Sequence, residues 1–209
     1  MLRLQTALAL TLLAASLWTQ DKNQPGSSSA KKSVHANLSL PDPGAITDGV
    51  YHNPAFGFSY KLPFGWVDRT REMQPDSADA SKSLLLLAIF ERPPEATGDT
   101  VNSAVVIVAE PLSAYPRLKT ATDYFEPLTE LAAAKGFRAV EGAHELSIGA
   151  TQLARGDFSK SQGTLTMHQT SLAMLKKGHA VSFTFIAGSE DEVNQLIEKL
   201  GFAKRSPAR

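Results

Sequence analysis

Five histidines, no cysteine and 21 acidic residues are the material this 209-residue chain has for chemistry. Without cysteine there is no disulfide, no thiolate zinc site and no cysteine nucleophile. A serine hydrolase needs a Gly-x-Ser-x-Gly elbow, and none occurs. Ser28/Lys31 and Ser29/Lys32 each satisfy Ser-x-x-Lys, but both pairs sit in a polar stretch where no oxyanion hole would be preorganised. Glu141-x-x-His144 has the spacing of half a di-iron site on a helix. A second copy is missing, and Gly142 disfavours a helix there. His168 and His179 fall on two strands expected to be neighbours, where they would face one another across a sheet. They lack a third ligand at useful spacing. Glu190-Asp191-Glu192 is read as complementing a helix N-terminal dipole, because no second acidic segment completes a calcium cage. The expectation is therefore no catalytic residue, no metal and no cofactor.

The elements that would position any site begin after an N-terminal segment of a different kind. Met1-Leu2-Arg3 carries one positive charge, and Ala7 to Ser16 is an unbroken run of apolar and small residues. The run is far shorter than the roughly 20 residues a membrane-spanning helix needs. It fits the h-region of a secretory signal, with Ala14 and Ser16 small enough for a signal peptidase, so residues 1–20 are expected to be a cleaved leader. Residues 21–48, rich in Ser, Pro, Gly, Asn and Lys, are expected to be a disordered tether. Basic and acidic residues number 21 each, and removing Arg3 with the leader leaves 20 against 21. A neutral surface has no long-range field for phosphate backbones or anionic lipid, which argues against nucleic acid as a partner.

Folded sequence is expected over 49–204. Phe56, Phe58, Tyr60 and Leu62 alternate as in a half-buried strand, Pro63-Phe64-Gly65 turns the chain, and Trp66 opens a second strand. Leu84 to Phe90 and Ala104 to Ala109 read as central strands, apolar on both faces. A helix is expected from Thr122 to Lys135 with a stripe of Tyr124, Leu128 and Leu131. Pro127 is compatible only with its first turn. Glu145 to Ile148 resumes strand sequence. Strands over 152–160 and 164–176 flank a loop at Ser161-Gln162-Gly163, and a further strand from His179 to Ala187 follows Lys177-Gly178. Ser189-x-x-Glu192 is a capping box for a last helix whose stripe is Val193, Leu196, Ile197 and Leu200. The sum is an α+β domain, a mostly antiparallel β-sheet flanked by helices.

Tyr51-x-Asn53, Gly57-Phe58-Ser59-Tyr60 and Leu62-Pro63-x-Gly65-Trp66 together resemble the opening of PsbP-like domains, the family of a photosystem II extrinsic subunit and its exported bacterial relatives. The resemblance extends from about Gly49 to Phe202. It implies an α/β/α sandwich that docks or assembles without catalysis, although a nuclear transport factor that binds a small GTPase shares the fold, so fold alone transfers no function. Basic and N-terminal docking segments of the photosynthetic branch find no match here beyond Lys31-Lys32, so a photosystem role is not implied.

The motif residues Gly57, Tyr60, Pro63, Gly65 and Trp66 are the candidate partner surface, with two readings. Tyr60 and Trp66 either line a partner groove or pack as core anchors, and alternating aromatics usually lie inside. The leading expectation is an exported, monomeric, non-catalytic accessory of the periplasm or extracellular space that binds another envelope or secreted protein. The alternative is a small-molecule or lipid carrier with an apolar pocket between sheet and helices.

Overall fold

The computed structural model describes residues 41–74 and 83–202. The expected leader, and the expected tether up to residue 40, lie outside the described residues. The chain forms β1 (Ala45–Thr47), β2 (Val50–Asn53), β3 (Phe58–Lys61), β4 (Val67–Asp68), β5 (Leu84–Phe90) and β6 (Ala104–Pro111). A 3-10 turn (Leu112–Ala114) leads towards helix α1 (Phe125–Ala134). Then come β7 (Arg138–Ala139), β8 (His144–Ile148), β9 (Thr151–Gln162), β10 (Leu165–Lys176), β11 (His179–Ala187), α2 (Glu190–Ile197) and β12 (Leu200–Phe202). The α+β class and the antiparallel pairing are as expected. The strands divide into two sheets: a small one in the order β1-β2-β3-β12 and a large one in the order β4-β5-β6-β11-β10-β9-β7, with β8 also pairing β9.

Period-two burial explains the layers. Val181, Phe183, Phe185 and Ala187 of β11 point to one face of the large sheet, where they meet Tyr51, Phe58 and Tyr60 of the small sheet and Val193, Leu196 and Ile197 of α2. Ala180 of β11, Ala173 of β10 and Ala154 of β9 point to the other face, against Tyr124 and Phe125 at the start of α1. β5 is buried on both faces, and a bulge between Leu85 and Leu87 changes its phase, so that Leu87 and Ile89 face the small sheet while Leu85, Ala88 and Phe90 face away. Helices thus cover opposite faces, and the small sheet shares one face with α2.

Several boundaries differ from the sequence reading. β1 begins at Ala45, inside the stretch assigned to the tether. β3 and β4 do not pair: β3 lies between β2 and β12, while β4 pairs β5, so Pro63-Phe64-Gly65 carries the chain from one sheet to the other. The loop between β9 and β10 is Gly163-Thr164, because Gln162 already pairs with Leu165. Helix α1 starts three residues after Thr122, which puts Pro127 in its first turn, where a missing N–H costs no helical bond. The buried stripe rotates accordingly to Phe125 and Ala132, and Leu131 is 45 % exposed. Ser189 caps α2 by accepting the Glu192 N–H at 3.2 Å, and the Glu192 carboxylate accepts the Gly188 N–H at 3.0 Å. Leu200 belongs to β12, where it pairs with Tyr60, and not to the helix.

Candidate functional site

The opening motif is built first for architecture. Asn53 is buried, and its side-chain carbonyl accepts the Phe56 N–H at 2.8 Å while its main-chain carbonyl accepts the Gly57 N–H at 2.8 Å. Its amide donates to the Tyr51 hydroxyl at 3.0 Å, and that hydroxyl donates to the Pro43 carbonyl. Tyr51-x-Asn53 therefore closes the β2–β3 connection with its own side chains. Gly57 has φ +66, and a Cβ there would meet the Lys176 ammonium at 2.9 Å, so the end of β10 packs on this turn. Tyr60 is fully buried, tilted against Phe185, with its O–H donating to the Leu196 carbonyl at 3.1 Å. Burial pushes its phenol well above the ordinary range. Tyr60 thus sits in the core between the two sheets and α2.

The remaining motif residues frame one exposed side chain. Trp66 is half-buried against the core shared by the small sheet and α2. Its N–H donates to the Pro63 carbonyl at 3.4 Å, closing a turn in which Gly65 has φ +80. A Cβ on Gly65 would meet nothing, so it is the left-handed backbone of a type II turn that selects glycine there. The first residue beyond β3, Leu62, is pinned by its N–H to the Gly49 carbonyl at 2.8 Å. Between these anchors Phe64 is fully exposed, unlike Ile46, Leu131 and Val140, the other exposed large apolar residues described, which stay partly covered. The sequence places Phe64 in the turn Pro63-Phe64-Gly65, but the candidate surface drawn from it comprises Gly57, Tyr60, Pro63, Gly65 and Trp66 without Phe64. The missed signal was its place at the second position of a four-residue turn, whose side chain cannot reach either sheet face.

Two surface cavities are lined by mixed side chains. One, of about 430 Å³, crosses the outer face of the small sheet from Val50 over Ser59 and Gly201 to Gln195 of α2 and Glu198 just after it, and is also lined by Lys61 and Lys199. Because Lys61 ends β3, this trough lies three residues from Phe64 along the chain. The other, about 290 Å³, lies between residues 114–118 and the first turns of α1.

The titratable side chains form separate clusters. His168 pairs in register with Ala187, and His179 with Lys176, so the two histidines stand at opposite ends of the β10–β11 ladder, separated by roughly 27 Å. The expectation that they face one another is overturned by this register, which the two-residue turn at Lys177-Gly178 sets. His168 instead lies 3.7 Å from Glu190, and His179 packs edge-on against Phe56. Glu141 and His144 are 3.6 Å apart on an exposed loop and strand start, not on a helix. Arg155 grips Asp157 through Nε and Nη2 at 2.9–3.2 Å, and Thr170 donates to the same carboxylate. Burial raises the Asp157 pKa, but the Arg155 fork and the Thr170 hydroxyl outweigh it and hold the carboxyl below its usual range. Arg155 also reaches Asn194 of α2 at 3.4 Å, so this cluster ties the helix to the sheet. On the opposite face Glu110 accepts from Ser83 at 2.8 Å, from Tyr115 at 2.9 Å and from Tyr124. Among the described residues no three His, Asp or Glu side chains converge as metal ligands.

Fold and site together define an antiparallel α+β domain with a fully exposed phenylalanine on the turn that carries the chain from one sheet to the other. Among the described residues no helix is long and apolar enough to cross a membrane. No protein-family model matches the sequence. No curated protein matches it either. Solved structures with a similar chain trace include the cyanobacterial PsbP, CyanoP, from Synechocystis sp. PCC 6803, at 13 % identity and TM-score 0.49, covering 74 % of this chain and 91 % of that one. The Ran-binding protein Mog1p of Saccharomyces cerevisiae matches at 8 % identity and TM-score 0.45, covering 76 % and 96 %. LpqN, involved in cell envelope biogenesis of Mycobacterium tuberculosis, matches at 12 % identity and TM-score 0.36, covering 76 % and 80 %. At these identities and TM-scores the likenesses bring no activity or partner to this chain.

Proposed function

We propose that this chain is an exported, non-catalytic accessory that binds an envelope or secreted protein through the turn at Phe64. The observation that carries the reading is the full exposure of a phenylalanine on a turn fixed at both ends. A free phenylalanine costs solubility, and it gains nothing for the fold of the domain that carries it. Carried on a main chain pinned at both ends and clear of the domain's own surface, its ring is placed to fill a pocket on another protein, as aromatic hot-spot residues do. The leader-like N-terminal sequence and the resemblance of the opening motif to PsbP-like domains support export and an accessory role. The absence of a nucleophile elbow, and the use of the described clusters to tie helices to sheets, support a role without catalysis.

The test is affinity capture after cross-linking in the native host's envelope fraction, comparing wild type with Phe64→Ala. A protein enriched near stoichiometry with wild type and lost with Phe64→Ala supports the reading. Equal enrichment by both would remove Phe64 from the interface. No enrichment by either would remove the adaptor function itself.

A further inference from the structure

We propose that residues 112–124, the segment joining β6 to α1, form a strap that opens as a unit ahead of the rest of the domain, and that the Glu110 carboxylate is its latch. The strap crosses the face of the large sheet opposite the small sheet, packing Leu112, Tyr115, Leu118, Ala121 and Tyr124 against Ala173 and Ala180. Its main chain has little attachment to the sheet it crosses. Among the described residues, the hydrogen bond it gives to the sheet's connections is Leu112 N–H to the Gly178 carbonyl at 2.9 Å. Its other main-chain bonds run within it, from Tyr115 to Leu112 and from Leu118 to Tyr115, or join its end to the first turn of α1, where the Phe125, Glu126 and Leu128 N–H groups donate to the Thr122, Asp123 and Tyr124 carbonyls at 3.0, 3.3 and 3.4 Å. Asp123 closes a local turn, accepting the Lys119 and Thr120 N–H groups at 3.0 and 2.8 Å. A segment with local turns and few main-chain bonds to the sheet beneath it has the make-up of a locally unfolding unit, hinged here at its junction with α1.

Side chains hold it down, and the polar ones converge on a single group. Glu110, at the end of β6, receives the hydroxyls of Tyr115 and Tyr124 from the strap and of Ser83 from the residue before β5. Tyr115 and Tyr124 also stack edge-to-face at 5.4 Å. Burial, and then the facing Glu110 carboxylate, push both phenols above their ordinary range, so they stay protonated donors. An ionised carboxylate has acceptor sites for all three hydroxyls at once and binds each more strongly than a neutral group does. A carboxamide at the same place keeps the shape, loses the charge and replaces one acceptor with a donor facing the phenols.

The strap hides a particular surface. The sheet beneath it is floored by the small side chains Ala154, Ala173 and Ala180, and the space above them is filled by Tyr124 and Phe125. Lifting the strap withdraws Tyr124 and leaves an apolar depression large enough for an aromatic ring.

Hydrogen exchange read by mass spectrometry on the intact domain tests this, with wild type and Glu110→Gln compared at neutral pH. The latch predicts that amides of 112–124 exchange about tenfold to a hundredfold faster in Glu110→Gln. Amides of β10 and β11 should be unchanged, and the dye ANS should gain fluorescence in the variant. Uniform acceleration across the domain, or no acceleration in the strap, overturns the proposal. If Glu110→Gln does not fold, Tyr115→Phe serves in its place. It keeps the ring and the carboxylate, and the same strap-confined acceleration, smaller in size, is required of it.

Discussion

Replacing Gly156 by alanine sets two general effects of opposite sign against each other at one atom. Gly156 sits within β9 under helix α1 and does not have a left-handed backbone, so a methyl group would ordinarily stabilise the strand by about 0.4–1 kcal/mol through the unfolded chain. Here an added Cβ would lie 2.5 Å from Cε1 and 2.7 Å from Cδ1 of Phe125, whose ring is buried. Carbon atoms rest at about 3.5–4.0 Å, so helix and strand must separate by about 1 Å or the ring must leave its rotamer. Overpacking of this kind costs about 1–3 kcal/mol against that gain, so the net at the midpoints of the two ranges is a loss of about 1.3 kcal/mol. For a domain of this size that lowers Tm by roughly 3–5 °C. Thermal and urea unfolding followed by circular dichroism would measure it. Phe125→Leu in the Gly156→Ala background should cost less than it does alone, because the shorter side chain vacates the contact. A neutral or stabilising Gly156→Ala would show that α1 is free to shift, and would refute the claim that it is packed directly onto the β9 backbone.

Two further outcomes follow from single groups. Burial, with the nearby Asp42 charge adding to it against the Asn53 hydrogen bond, pushes the Tyr51 phenol from 10.0 to about 12. The folded state therefore holds that proton more tightly. Its contribution is complete below pH 10 and declines as pH rises towards 12, by up to about 3 kcal/mol. Urea midpoints between pH 9 and 11.5 should fall with a slope that Tyr51→Phe reduces. Asp157 runs the other way: its folded pKa is depressed, so the stability it brings is present above the unfolded value of 3.8 and lost as pH falls below it. Asp157→Asn should cost about 1–3 kcal/mol at neutral pH, since it leaves Arg155 unpaired at a site only 23 % exposed, and should flatten the acid limb of the same urea series.

Much of the large sheet was legible in the sequence because its strands are long and their burial alternates. Val181, Phe183 and Phe185 fall on one face from periodicity alone, and Leu84 to Phe90 reads as buried on both faces, as it is. The small sheet was less legible. Its outer strands span three residues each, Ala45–Thr47 and Leu200–Phe202, too short for a period to register, and Leu200 continues the helical stripe of α2 without a break in pattern. The misplacement of His168 beside His179 came from knowing that two strands pair without knowing their register. Lys177-Gly178, as a two-residue loop, contains that information. Phe64 was legible as a turn residue, but not its exposure, since Phe56, Phe58 and Tyr60 just before it are all inside. Only the change of sheet at Pro63-Phe64-Gly65, a tertiary fact, leaves the next aromatic without a face to pack on.

The most direct measurement is site-specific photo-cross-linking in the native host, with benzoylphenylalanine placed at position 64 and, as a control on the opposite face, at Glu130 of α1. The account predicts one discrete protein adduct from position 64 and none of that mass from position 130. An adduct from position 130 with none from position 64 would contradict the assignment of the Phe64 turn as the partner-binding element.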